Sequence, residues 1–142
     1  ELDVFNFNQV NDQHGHAAGD RILRQLARAI RRQLRGCDTC VRYAADEFIL
    51  TLPGVGKQEV ARLQARIQEA IESHKFVVHG GKPVQLSVSM GSASFPDDGK
   101  TLDALIAVAD ARMYDVKTAR RKDQPDGDGY QRFTGRRTVP VN

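Results

Sequence analysis

Two cysteines, Cys37 and Cys40, are all that the 142-residue sequence carries. A structural zinc site wants four nitrogen or sulfur ligands, and one C-x-x-C pair supplies half of them. His14 and His16 lie in a separate segment, so the pair reads as two reduced thiols, with Cys40 filling an apolar strand position. Long apolar runs are missing as well: nothing approaches the roughly 20 residues that cross a bilayer, and no charged-then-apolar leader precedes the first element. The expectation is a cytoplasmic protein, or the cytoplasmic part of a larger one. Charge of one sign is scarce. Lys and Arg number 21 against 18 Asp and Glu, a net +3 that suits small anionic ligands and is too mild to argue for nucleic acid.

With 40% apolar residues, the chain can bury one ordinary core. Period and punctuation give the order of its elements. Leu2–Phe5 reads as a strand, and Asn8–Asp12 as a short helical turn ended by Gly15. From Asp20 onward Ile22, Leu23, Leu26, Ala27, Ile30 and Leu34 recur at three and four, the mark of an amphipathic helix. Its other face carries Arg21, Arg24, Arg28, Arg31, Arg32 and Arg35, which is expected to be a solvated stripe. Strands follow at Thr39–Tyr43 and Asp46–Leu52, then a helix over Gln58–Ile71 and a hairpin over Phe76–Gly91 that turns at Gly80-Gly81. A third helix runs from Leu102 to about Lys117. A short strand candidate at Tyr130–Phe133 and a tail or linker over 135–142 close the chain, leaving 1–134 as one domain. The fold class is mixed α/β (α+β), and the hairpins argue for a central, mostly antiparallel sheet flanked by helices.

Three segments hold polar residues that a core does not need: Asp3 to Asp20, the turn Ala44-Ala45-Asp46-Glu47-Phe48, and Ala109 to Lys117 with Arg120 and Arg121. In order along the chain they spell D-x-x-x-F-x-x-x-N-D-x-x-G-H-x-x-G-D, R-x-x-D, AADEF and A-D-x-x-M-Y-x-x-K. This series resembles the GGDEF family of diguanylate cyclases and their degenerate relatives over positions 3 to about 121. The resemblance implies a fold like the palm of nucleotide polymerases and cyclases, with the signature on a hairpin over a GTP pocket. It implies Asp3, the backbone of Val4 and Asp46 as ligands of Mg²⁺, an ion that favours hard oxygen donors. It also implies Glu47 as a further active-site carboxylate near the attacking 3′-hydroxyl, Asn11 and Asp20 as guanine readers, and Lys117 and Arg121 as cations facing the terminal phosphates. Taken singly, Asn11 and Asp20 also read as helix caps, and Asp3 as a strand-end residue.

Departures from the family pattern shape the functional expectation. Ala44 and Ala45 replace two glycines, Asn8 stands where a lysine faces the phosphates, and Phe5 stands where a second acid is common. An alanine at positive φ costs about 1–2 kcal/mol, so the turn is expected to shift or strain. A lost charge-assisted contact costs about 1.5–3 kcal/mol more. Impaired catalysis around Asp46 and Glu47 is therefore expected. The alternatives are an active or weak cyclase that joins two GTP into cyclic di-GMP across a homodimer with release of two pyrophosphates, and a GTP-binding regulatory domain of an attached phosphodiesterase. Arg35-Gly36-Cys37-Asp38, by contrast, matches the family's R-x-x-D inhibitory motif, and Arg66 matches the additional arginine of that site. A guanidinium fork can bond guanine O6 and N7, while a carboxylate takes the Watson–Crick donors. The plainer reading of Arg35 and Asp38 is a surface ion pair worth under about 1 kcal/mol. The resemblance thus implies a cyclic di-GMP receptor. Relatives usually carry a segment D-x-L-T-x-L-x-N-R ahead of the first strand, which this sequence does not show, and a fused sensory or phosphodiesterase domain is expected outside the chain.

Overall fold

A computed structural model describes residues 1–78, 80 and 83–123. The strand candidate Tyr130–Phe133 and the tail over 135–142 lie outside them. The elements are β1 (Leu2–Val4), α1 (Phe7–His14), α2 (His16–Arg31), β2 (Thr39–Arg42), β3 (Glu47–Thr51), α3 (Lys57–Ser73), β4 (Phe76–Val77), β5 (Pro83–Val84), β6 (Val88–Met90) and α4 (Leu102–Asp123). Four strands form a sheet in the order β2-β3-β1-β6, antiparallel at every pairing, as the sequence pattern calls for.

Alternation along β1 sorts the two sides of this sheet. Leu2 and Val4 join Ile22, Leu26 and Ile30 of α2, Phe48 of β3, and Ile67 and Ile71 of α3 in one apolar core. Asp3 faces the other way, toward α4. The end of β6 meets α4 closely at Gly91, where an added Cβ would stand 2.1 Å from the carbonyl oxygen of Ala109. No side chain fits between these backbones, so glycine at this position sets how near α4 comes to β1.

Most element ends shift from the sequence reading by one or two residues, and three departures are larger, each for a physical reason. Helix α2 starts at His16 rather than Asp20, because Gly15 at φ 83° breaks the chain from α1 and the small residues after it pack without an apolar period. The expected 76–91 hairpin divides in two: β4 pairs with β5, while β6 leaves to pair with β1 through Leu2↔Met90, Asp3↔Ser89 and Val4↔Val88. That pairing satisfies the backbone of a strand whose Val88 and Ser89 are fully buried. Helix α4 runs past Lys117 to Asp123, where Arg120, Arg121 and Lys122 suit the negative end of the helix dipole.

Candidate functional site

The signature turn joins β2 to β3, whose register runs from Thr39↔Thr51 to Arg42↔Phe48. It closes through the Tyr43 and Ala44 N–H groups, which donate to the Glu47 carbonyl at 2.8 and 3.3 Å. The Arg42 guanidinium donates to the Ala45 carbonyl at 2.7 and 3.0 Å and holds the turn from outside. Among the described residues, Asn6 is the only non-glycine at positive φ. Ala44 and Ala45 therefore avoid the left-handed backbone, which corrects the expected strain. The turn has taken a shape that alanine tolerates, and what remains of the two substitutions is the bulk of their methyl groups. Arg42 was not singled out in the sequence, since one arginine before a turn gives no spacing signal.

Strand pairing brings the acids together. Asp3 lies opposite Glu47 in register, and the Val4 N–H donates to the Asp46 carbonyl at 3.0 Å. Lys117 of α4 reaches across, with Nζ 2.6 Å from Asp3 Oδ2 and both side chains buried. Burial pushes Asp3 up to about 7; the neighbouring charge of Asp46 adds to this, and the bond from Lys117 opposes it. Asp46 and Glu47 are raised in the same direction, first by burial. Two carboxylates and a backbone carbonyl are hard donors that suit Mg²⁺, with water or phosphate oxygens completing its shell. The repulsion between Asp3 and Asp46 is what a divalent cation would relieve. Among the described residues, no three His, Cys, Asp or Glu side chains gather into a metal site by themselves.

The corner between α1 and α2 carries the two candidate base readers. The Gly15 N–H donates to the Asn11 carbonyl at 2.7 Å and turns the chain. The Asn11 carboxamide then lies directly over Gly19: a Cβ there would stand 1.9 Å from Asn11 Oδ1. Gly19 is thus a positioning residue that the sequence reading quoted within G-D without giving it a role. Asp20 follows it, exposed, and Asn8 is exposed on α1. Lys117 and Arg121 are one turn apart on α4, with Lys117 held at Asp3 rather than in open space.

A second constellation lies at the far end of β2, about 20 Å from the turn at strand spacing. Arg35 Nη2 donates to Asp38 Oδ1 at 2.7 Å and to the Pro53 carbonyl at 2.7 Å, while Nε donates to both Asp38 oxygens at 3.2 Å. The Arg35 N–H adds a bond to Asp38 Oδ2 at 2.8 Å. These donors pull Asp38 below the usual carboxylate range. The Asp38 side chain is 2% exposed and that of Arg35 51%, so the guanidinium is locked along one edge and open to solvent elsewhere. Arg66 of α3 joins this end of α2 by donating to the Gln33 carbonyl at 3.2 Å. Cys37 is exposed beside them, and Cys40 is half-buried against the core from β2, as expected; both are free thiols. An apolar cavity of about 710 Å³ between α3, α4 and the sheet, lined by Ile49, Leu63, Ile67, Leu105 and Ile106, touches none of these candidate residues.

An antiparallel sheet packed by helices, with acids gathered at a β-hairpin turn and Asn11 set over Gly19 at the α1–α2 corner, is the architecture shared with GGDEF domains of solved structure. A model of the family described as "Diguanylate cyclase, GGDEF domain" matches residues 1–123, and the chain belongs to that family. It is similar to diguanylate cyclase DosC of Escherichia coli K12, at 36% identity over 119 residues, which are 82% of this chain and 25% of that protein. The GGDEF domain of TpbB (YfiN) from Pseudomonas aeruginosa superposes with a TM-score of 0.78 at 34% identity, covering 83% of this chain and 69% of that one. The GGDEF domain of DgcB from Caulobacter crescentus, solved in complex with c-di-GMP, gives 0.76 at 27% identity over 83% of this chain and 70% of that one. The chain spans about a quarter to a third of the length of curated relatives it matches. Among the described residues, no helix is long and apolar enough to cross a membrane.

Proposed function

We propose that this GGDEF domain serves cyclic di-GMP signalling as a catalytically impaired receptor that binds the dinucleotide through Arg35 and Arg66, with Asp38 holding the Arg35 guanidinium in place. The observation that carries the reading is the Arg35 fork, fixed by Asp38 and the Pro53 carbonyl with much of its surface open to solvent, beside Arg66. A preorganised guanidinium loses little freedom on binding, and its flat face can stack on a base while free N–H groups reach O6 or N7. The phosphate end of the other site is weak by comparison. Two methyls line the signature turn, Asn8 offers no charge, and Lys117 is engaged by Asp3.

Calorimetry with purified protein tests the reading. Cyclic di-GMP binds the unmodified chain, and Arg35→Ala weakens binding at least tenfold, a loss of about 1.4 kcal/mol. Equal affinity in the variant would sink it.

A second reading, a weak cyclase, is favoured by one observation: Asp3 and Glu47 keep their register across an unstrained turn. In that case Mg²⁺ held by Asp3, Asp46 and the Val4 carbonyl would neutralise phosphate charge. Asn11 and Asp20 would hold guanine, Arg121 would face the terminal phosphates, and two copies would meet because each presents one GTP. Cyclic di-GMP formed from GTP and Mg²⁺ by the purified chain decides for it.

A further inference from the structure

Helix α2 carries Arg21, Arg24, Arg28 and Arg31 on one side, Arg32 follows in the closing turn, and Arg35 comes just beyond. At 100° per residue, the positions from Arg21 to Arg32 fall within an arc of about 100°. The opposite face is fixed in the core by Ile22, Leu26 and Ile30, so the row cannot turn inward. Arg24, Arg28, Arg31 and Arg32 are exposed, and among the described residues none of the four has an ion-pair partner. Acids are not in short supply, since the chain has 18 of them. Helix α3 mixes Glu59, Glu69 and Glu72 with its arginines, and α4 mixes Asp103, Asp110 and Asp115 with its cations. Like charges three and four apart on a helix repel. Asp20 is the one acid on this side of α2, near its start, so the stretch from Arg24 to Arg32, whose four arginines have no ion-pair partner among the described residues, is a concentrated positive field rather than a balanced solvated face.

The row ends at the candidate dinucleotide site. The Arg32 N–H donates to the Arg28 carbonyl and the Leu34 N–H to the Arg31 carbonyl, so hydrogen-bonded turns carry the chain from the end of α2 to Leu34, one residue before Arg35. Arg66 is bonded to Gln33 beside the same turn. Arg28 stands about 10 Å from Arg35 at helical rise, which is about one Debye length at 0.1 M salt. We infer that this arginine row is an electrostatic rail, whose field gathers an anionic dinucleotide and delivers it to Arg35, raising the association rate without touching the ligand once bound. The inference rests on the reading of Arg35, Asp38 and Arg66 as the dinucleotide site. A rail of this kind acts on the encounter, and steered encounters gain about 10- to 1,000-fold in rate at low salt. Cyclic di-GMP suits it, with two phosphodiester charges on a small body.

Stopped-flow binding of cyclic di-GMP tests the inference on the unmodified chain, on Arg24→Gln/Arg28→Gln, and on a control, Lys100→Gln/Lys122→Gln, that removes the same net charge from the α4 side. At about 20 mM salt, where the Debye length exceeds 20 Å, the arginine pair is expected to lower the association rate at least threefold and leave the dissociation rate unchanged. The lysine pair should change neither, and at about 0.5 M salt all three proteins should coincide. Equal loss in both pairs, or a change confined to dissociation, overturns the rail while the site reading stands. If the unmodified chain does not bind, or if Arg35→Ala binds with unchanged rates, the site reading fails and the rail falls with it.

Discussion

The ammonium of Lys117 sits 2.6 Å from Asp3 Oδ2 in an environment that leaves the two side chains 8% and 5% exposed. This pair ties α4 to the central strand at the point where the acids converge. Removing one member of a buried pair is far more costly than the pair's own net contribution, about 3–5 kcal/mol, because the other charge is left behind.

Lys117→Met is therefore expected to lower stability by about 3–5 kcal/mol at pH 8, since buried Asp3 then loses its ion-pair partner beside half-buried Asp46 and Glu47. The deficit should shrink as pH falls. These carboxyls already have raised affinity for protons in the folded state, and loss of the lysine raises it further. The folded protein then binds more protons than the unfolded chain, so stability falls as pH rises through the raised values. Urea denaturation between pH 5 and 8.5 checks this, and a deficit independent of pH would contradict it.

Gly19 provides a prediction whose sign opposes helix propensity. Gly→Ala inside a helix ordinarily stabilises by about 1 kcal/mol. Here the new methyl would meet Asn11 Oδ1 at 1.9 Å and the Phe7 ring at 3.1 Å. Gly19→Ala is expected to destabilise by about 1–3 kcal/mol, the usual range for overpacking, and to turn the Asn11 carboxamide away from its place over Gly19. Thermal denaturation reads the first effect, and NMR shifts of the Asn11 side-chain amide read the second.

Much of this arrangement could be read from the sequence, for reasons tied to particular residues. Ile22, Leu26 and Ile30 fix the buried face of α2 by period alone, whereas Asp3, Asn11, Asp20, Asp46 and Glu47 stand out only through the resemblance to the GGDEF family pattern. The partner of Lys117 was not legible, because it depends on how near α4 approaches β1, and Gly91 sets that distance by a backbone contact with Ala109. The role of Gly19 was hidden likewise, since a missing Cβ gives no periodic signal. Strand β6 merged with the preceding hairpin because three residues are too few to show alternation. At Ala44 and Ala45 the residue types alone do not give φ, and hydrogen bonds from Tyr43, Ala44 and Arg42 hold the turn with neither alanine at positive φ.

Asp98 contributes to the acid side of stability. It accepts from both terminal nitrogens of Arg112 at 2.9 and 3.0 Å and from the Ser94 N–H at 2.7 Å. These donors, Arg112 first, pull its carboxyl down to about 2. A depressed folded-state value means that the clamp is intact above the ordinary carboxylate range and is lost as pH falls toward 2. Asp98→Asn should flatten the decline in melting temperature between pH 5 and pH 2.5, with its largest effect relative to the parent near neutrality. Parallel curves for the two proteins would remove Asp98 from this role.

Restoring glycine at the signature turn separates steric from conformational explanations of the altered motif. If Ala44 or Ala45 were strained, Ala44→Gly/Ala45→Gly would relieve about 1–2 kcal/mol at each strained position and stabilise the fold. Neither residue is at positive φ, so no such gain is available. The double variant instead frees the unfolded chain and should lose about 0.4–1 kcal/mol per substitution. Activity should move the other way. Without the methyls, backbone N–H groups can approach phosphate, and cyclic di-GMP formation from GTP and Mg²⁺ should rise above that of the parent. A less stable, more active protein places the defect in bulk at the turn. A more stable protein places it in strain, and a less stable one with unchanged turnover shifts the deficit to Asn8, where Asn8→Lys becomes the repair to measure.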